Sequence, residues 1–529
     1  MIIRIPDKFF QQAKAAEDAA GRLPYRVGRR GFVGSALAAA TLPFGRAWAD
    51  AKDVELPEQL PAIGLDGKPI SIARADIKEF RASLRGQLLL AGNDEYEQAR
   101  KIWNGVFDRH PALIARCAGS DDVVKAVNFA RAHGVLTSVR GGGHSISGQS
   151  SCEGGLMIDL ALMKEIHIDA AKKVAQAQGG VLLGDLDRES QALGLATTLG
   201  TAADTGIAGL TLGGGFGRLQ RKFGLACDNL VSADIVTADG KMLHVSAHEN
   251  PDLFWGIRGG GGNFGIVTRF EYRLHKFGPN LLAGNRAFPI ERARELIPAL
   301  LELMGSSDDD LSYTFGLTKS PPAPGLPEAS YLEMEMIYTG DLKKSDRALA
   351  SLDRLGKPIF DDIAVKPYVK AQLGVSGAAP RSLPPGLRIY SKSGFVYGSA
   401  DKLVDVMLAQ FDASPQYIGE MGFSPMGGAV GRVKPEATAF WNRKSDYMLM
   451  LHGAWMDPSL DTAAVEGGRH IWQALEPFTK GHYVNAEPGA EGQRLRDTYG
   501  DSYPRLVTLK NKVDPTNLFR LNSNIKPTA

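Results

Sequence analysis

Cysteine is scarce in this chain: Cys117, Cys152 and Cys227 are the only three in 529 residues. At most one disulfide can form and at least one thiol is left over, which excludes a disulfide-stapled scaffold. None of the three sits in a CxxC pair or beside a histidine at ligand spacing, so no metal site is expected. A surplus of one charge is missing too. Lys plus Arg number 61 against 59 Asp plus Glu, and no basic run carries interleaved aromatics. Nucleic acid is therefore not an expected partner. Internal repeats and low-complexity segments are absent. What the chain has in excess is glycine, 61 residues clustered around 141–148 and 200–265. Its length calls for two or three domains rather than one core.

The first cluster, Val139 to Gly148, reads VRGGGHSISG and follows a short strand expected over Leu136 to Arg140. Consecutive glycines let backbone N–H groups approach an anion closely, since no Cβ stands in the way. His144, directly after them, can be held against whatever the glycines bind. Taken alone, the same stretch equally fits a tight turn with an exposed imidazole.

The first fifty residues do not read as domain structure. Arg29 and Arg30 precede a mildly apolar run from about Phe32 to Phe44, and Ala47-Trp48-Ala49 offers an A-x-A cleavage site. This layout resembles a twin-arginine export signal over 1–49, the alternative being an amphipathic helix with two incidental arginines. The apolar run is too short to span a bilayer. Export by this route carries folded proteins, so the twin-arginine machinery becomes an expected partner and a periplasmic or secreted location the expectation. A cofactor loaded before export is a common reason to fold first.

Residues 50–90 read as an irregular lead-in, followed by a helical pattern from Glu95 to Phe107. A strand over Pro111 to Ala115, a helix over Asp121 to His133 capped by Ser120 and closed by Gly134, and the strand before the glycine loop make a βαβ unit. The loop then lies at the carboxyl end of its second strand, where ligands of α/β folds gather. Further strands are expected over Gly155 to Leu160, Lys173 to Ala177, Ala233 to Thr237 and Met242 to Val245, with a helix over Asp185 to Leu193. Gly200 to Gly217, GTAADTGIAGLTLGGGFG, is almost free of bulky residues, as a backbone laid against a large flat ligand requires. Gly260, Gly262 and Gly265 spell a G-x-G-x-x-G, but Ile266 to Leu274 alternates like a strand where a nicotinamide fold needs a helix. That reading is rejected.

After Pro279 alternating segments at Leu311–Leu317, Tyr331–Tyr338 and Tyr447–Trp455 predict an antiparallel sheet, with helices near 291–304, 344–355, 402–411 and 462–476. Period-two alternation puts Tyr331, Glu333, Glu335 and Ile337 on one face and Leu332, Met334 and Met336 on the other. Either glutamate is then placed to face a cleft, or both lie on a solvated face. Met448, Met450 and His452 share a face in the same way. The organisation expected is 1–49 signal, 50–108 lead-in, 109–279 cofactor domain, 280–478 substrate domain and 479–529 C-terminal segment. The fold class is α+β, with the tail returning to the first domain.

The stretches VRGGGHSISG, GIAGLTLGGGFG with GLACDNL, GIRGGGGNFGIVTRFEY, and YVN with YPRLVTLKNKVDPTNLF occur in an order that resembles the berberine-bridge-enzyme-like flavin oxidoreductases, within the vanillyl-alcohol oxidase and p-cresol methylhydroxylase superfamily. The resemblance spans residues 110–280 and 480–527 and is weaker between. It implies a two-subdomain FAD-binding domain and an enzyme that takes a hydride onto flavin N5 from a carbon bearing oxygen or nitrogen. It implies covalent FAD joined through His144, with Gly141, Gly142 and Gly143 at the pyrophosphate. It puts Gly206, Gly209, Gly213, Gly214, Gly215 and Gly217 along the ribityl and adenosine portion, and Asn263, Gly265, Ile266 and Val267 at the adenine side. Arg140, Ser145, Gly148, Gly200, Thr201 and Thr205 belong to the same expected contact set, Thr205 near the oxygen-access position. Many relatives carry a second link from a cysteine in G-x-C-x-x-x-G. Here that segment is Gly200 to Gly206 with Ala202 at the cysteine position, so a single link is expected.

Tyr483, in a Y-x-N pattern with Asn485, matches the family's C-terminal tyrosine and is the candidate base. The alternative is a buried tyrosine that only hydrogen-bonds. A phenol titrates near 10, so a base at neutral pH needs a helping neighbour. His452 is a candidate pocket residue, although such a histidine is more often a satisfied core residue, and Tyr499 is ambiguous, since it equally fits packing of the C-terminal helix. The substrate implied is a small molecule, either a sugar or oligosaccharide or an aromatic alcohol or amine. Molecular oxygen is the expected acceptor. A periplasmic flavin dehydrogenase with another acceptor, and an exported binding protein without catalysis, remain alternatives.

Overall fold

The computed structural model describes residues 54–321, 326–373, 386–487 and 491–528. The segment read as an export signal lies outside them. Three buried cores organise the chain. The first gathers apolar side chains from 56–163, the second from 175–274, and the third from 282–475.

The first core sits on a four-stranded sheet in the order Gln87–Leu89, Leu113–Arg116, Leu156–Asp159, Thr137–Arg140. The two strands of the expected βαβ unit are not neighbours, because Leu156–Asp159 lies between them and runs parallel to both. The glycine–histidine loop still leaves from the carboxyl end of Thr137–Arg140. The helix between them, Ser120–His133, ends at Gly134 with φ +58°, a left-handed closure that glycine adopts without strain. Its start is held by Asp122 rather than by Ser120, the carboxylate accepting from the N–H groups of Arg85, Gly86 and Ala118.

Two further expectations need correction. The lead-in is ordered: Gln59–Ile63 and Pro69–Ala73 pair as a hairpin, and the helix Arg74–Ser83 buries Ile77 and Phe80 in the first core. Strands of five residues between prolines and glycines are too short to show their alternation. The helix expected to reach Phe107 stops at Arg100. Beyond it the Asn104 amide donates to the carbonyls of Ile146 and Ile389, fixing an irregular segment against the glycine loop and the distant domain.

The second core lies under a five-stranded antiparallel sheet, Met242–Ser246, Leu230–Val236, Ile266–Arg273, Val174–Gln178, Ile166–Asp169. Gly260 to Gly265 is preceded by the helix Pro251–Gly256 and followed by the strand Ile266–Arg273, so the rejection of a nicotinamide fold stands. The third core is closed by an eight-stranded antiparallel sheet that includes Asn280–Pro289, Tyr331–Tyr338, Leu311–Thr318, Glu420–Pro425, Tyr447–Trp455 and Arg388–Val396. Leu332, Met334, Met336, Leu449 and Leu451 face that core.

The tail returns as expected. Leu506, Leu509 and Ile525 pack into the second core, and Leu518 and Phe519 into the first. Buried Lys510 ties it down, its ammonium donating to the Asn263 and Phe519 carbonyls and to Asp514. The three cysteines are buried and free. No helix among the described residues is long and apolar enough to cross a membrane.

Candidate active site

All three cores border one cavity of about 750 Å³, within the range of small-molecule and cofactor sites. One wall is made by the glycine loops. Gly141, Gly142, Gly143, His144 and Ser145 line it together with Gly200, Thr201, Thr205, Gly206, Gly209 and Gly217, and with Gly265, Ile266 and Val267. Two of these loops touch backbone to backbone. A Cβ on Gly142 would stand 2.5 Å from the Gly206 backbone, and one on Gly206 would stand 2.4 Å from the Gly142 nitrogen. Only glycine at both positions allows that approach.

The opposite wall comes from the eight-stranded sheet. Glu335 and Ile337 line it, as do Met448, Met450 and His452, the faces that period-two alternation puts together. Glu335 is not on a solvated face. Its carboxylate pairs with Arg218, Nη2 to Oε1 at 2.8 Å, and both side chains are largely buried. Arg218 also donates to the Thr201 carbonyl and the Gln372 side chain, linking the two walls. Burial pushes the His452 imidazole down to about 3, so it is neutral at ordinary pH. Tyr499, by contrast, packs on Tyr503 away from the cavity.

Tyr483 and Asn485 stand where the walls meet. The phenol oxygen accepts from the Asn485 amide at 2.9 Å and from the Phe216 N–H at 3.3 Å. Both donors stabilise a phenolate, leaving the phenol's own proton as the one it can donate. Burial nevertheless raises the phenol to about 12, the Asn485 and backbone donors opposing that shift only in part. The structure supplies the neighbours a tyrosine base requires and keeps the resting phenol protonated.

Six expected contacts do not reach the cavity wall. Gly213, Gly214 and Gly215 serve packing: a Cβ at each would meet Asn485 at 2.3 Å, Phe440 at 2.8 Å and Ala226 at 2.4 Å. Gly148 packs on the Phe107 ring, and Arg140 pairs with buried Asp159 at 2.9 Å. Asn263 is fully buried, donating to the Gly260 and Ser523 carbonyls and accepting from the Ile525 N–H, so it holds the tail. Other wall residues carry no sequence signal. Trp103 stacks on the His144 imidazole with centroids 4.2 Å apart, and Leu521, Asn522 and Ser523 complete the floor. Asp204, inside the segment searched for a cysteine, lies beside His144.

The residues fit FAD on two observations. Three glycine-rich loops, two of them in backbone contact at Gly142 and Gly206, line one wall of a cavity of cofactor size, and His144 lines the same wall directly after the first of them. No group of three or more metal-ligating side chains occurs among the described residues.

An FAD-binding oxidoreductase is thus the class that this architecture defines. Residues 111–246 match the family model "FAD binding domain", and residues 482–526 match "Berberine and berberine like". The chain is 31% identical over 468 residues to (R)-6-hydroxynicotine oxidase of Paenarthrobacter nicotinovorans, a match covering 84% of this chain and 97% of that one. The crystal structure of 6-hydroxy-D-nicotine oxidase from Arthrobacter nicotinovorans superposes with a TM-score of 0.76 at 28% identity, covering 84% of this chain and 98% of that one. Glucooligosaccharide oxidase from Acremonium strictum, described with a 6-S-cysteinyl, 8α-N1-histidyl FAD, shares the fold at 23% identity and TM-score 0.77, covering 86% and 100%. The chain belongs to the berberine-bridge-enzyme-like FAD-linked oxidoreductases, and it is an enzyme.

Proposed function

We propose that this enzyme oxidises a C–H bond next to nitrogen or oxygen in a small molecule, with FAD joined through His144 alone and oxygen as acceptor. The observation that carries the reading is one cavity with His144 and the glycine loops on one wall and Tyr483 where that wall meets the other. Bound FAD would supply the two-electron sink, accepting hydride at N5. Gly141–Gly143, Gly206 and Gly265–Val267 would hold it. Tyr483 takes the heteroatom proton, and the Asn485 amide and Phe216 N–H hold the phenolate that precedes the transfer.

The substrate wall favours one of the two classes. Met448, Met450, Ile337, Leu373 and Phe216 supply thioether, aliphatic and aromatic surface there, beside the polar Ser312, Thr314, Ser424 and Glu335. The apolar part suits the ring of a flat aromatic amine or alcohol, and the polar part its heteroatom. The hydroxynicotine oxidase name of the relative points the same way.

The test is spectroscopic. Purified protein should be yellow, its denatured band should fluoresce, and His144→Ala should abolish that fluorescence. Aromatic amines and alcohols should bleach the flavin band faster than oligosaccharides, with peroxide formed stoichiometrically. Bleaching without peroxide would assign a dehydrogenase with another acceptor, and wild-type protein that releases all its flavin into acid would overturn the covalent link. We further propose export by the twin-arginine route, which replacing Arg29 and Arg30 by lysine should block. Continued export of that double variant would refute it.

A further inference from the structure

Asp204 has no part in the reading above. Its carboxylate Oδ1 stands 3.6 Å from the Nε2 of His144. That nitrogen is buried and has no hydrogen-bond partner, whereas Nδ1 is not among the buried unpartnered atoms, and the residue lines the cavity. The Trp103 indole stacks on the ring at an interplanar angle of 22°, which fixes the plane of the imidazole. A neutral imidazole carries one N–H and one lone pair, and the partner of one nitrogen decides the state of the other. A carboxylate beside Nε2 selects the Nε2–H form and leaves the lone pair on Nδ1.

We infer that Asp204 is a positioning residue for flavin attachment, holding His144 so that Nδ1 is the nucleophile and accepting the Nε2 proton as the bond forms. The inference rests on His144 as the attachment site. The bond made joins Nδ1 to the flavin 8α carbon, and the bond broken is one 8α C–H. Its electron pair stays on the flavin. The 8α proton and the Nε2 proton complete a two-electron-reduced flavin, and dioxygen, taking two electrons and two protons to give peroxide, restores the oxidised form. Asp204 is suited to the task. Burial works against its ionisation, yet the imidazole beside it holds the carboxyl below its usual range.

Asp204→Asn keeps the shape and removes the charge, and Asp204→Ala removes both. Each variant would be expressed with riboflavin supplied, and total against acid-resistant flavin measured per mole of protein, with intact mass as a second readout. Both should retain acid-releasable flavin while the rate of covalent loading falls about ten- to a hundredfold, the range for losing a group that orients a histidine ligand. Covalent loading at the wild-type rate in both variants overturns the inference and leaves the His144 reading intact. Wild-type protein with no acid-resistant flavin overturns both.

Discussion

The Asn485 side-chain nitrogen donates to the Tyr483 hydroxyl oxygen at 2.9 Å and to the Leu210 carbonyl at 3.0 Å. The second bond fixes the amide orientation, so the first is always presented to the phenol. Tyr483→Phe keeps the ring and deletes the proton acceptor. Flavin reduction in rapid mixing should slow by about two to four orders of magnitude, the range for a positioned base. A tyrosine that served only as packing would show near wild-type reduction. Because burial raises the phenol to about 12, the wild-type rate should climb with pH through the alkaline range, and the phenylalanine variant should lose that limb.

Gly213 makes the same arrangement possible from the other side. A Cβ there would lie 2.3 Å from the Asn485 Oδ1. Gly213→Ala should therefore displace the amide and slow flavin reduction, with the proportion of covalent flavin unchanged. A variant that instead loses flavin would make Gly213 a cofactor contact after all.

That glycine marks what the sequence can and cannot disclose. Gly142 and Gly213 look alike in the chain, yet one lets two loops meet beneath the cavity and the other makes room for a neighbouring amide. Composition carries no trace of the difference. Alternation was legible where one strand face met a core and the other a cavity, as in Tyr331–Tyr338, where Glu335 and Ile337 separate from Leu332, Met334 and Met336. It failed on Asn280–Pro289, whose residues are almost all buried on both faces and so show no polar–apolar period. Trp103 could not be found, being a lone aromatic in an irregular segment brought to His144 only by the fold.

Arg218 and Glu335 form a largely buried ion pair across the two walls. Glu335→Gln leaves a buried guanidinium without its charge partner, and about 3–5 kcal/mol of stability should be lost. The double variant Arg218→Met, Glu335→Met should recover part of that loss, since neither charge is then stranded. Urea unfolding of the two singles and the double measures the coupling, and additive losses would show that the pair does not act as a unit.

Acid should expose the last relationship. His482 donates or accepts at Thr498 Oγ1, 2.7 Å from Nδ1, and at Ser523 Oγ, 3.3 Å from Nε2, stitching the tail to the cavity floor. Burial, then the nearby Arg494 and Lys392 charges, push it down to about 3, and burial does the same to His452. Unfolded, each binds a proton below about 6.5, while the folded protein does not. The stability from each is complete above 6.5 and is lost as pH falls toward 3, by about 1.4 kcal/mol per pH unit per histidine. Asp187 acts in the opposite sense. It is fully buried among Tyr368, Gln372 and Arg218, and burial raises it to about 7 against the donors around it. Its contribution is complete below the unfolded value of 3.8 and is lost as pH rises through about 7. From pH 6.5 to 4.5 the wild-type unfolding free energy should therefore fall, two histidines outweighing one aspartic acid. Asp187→Asn should steepen that fall and His482→Asn should flatten it. Urea denaturation at half-unit pH steps reads all three slopes, and a histidine variant with the wild-type slope would mean that His482 is protonated in the folded protein.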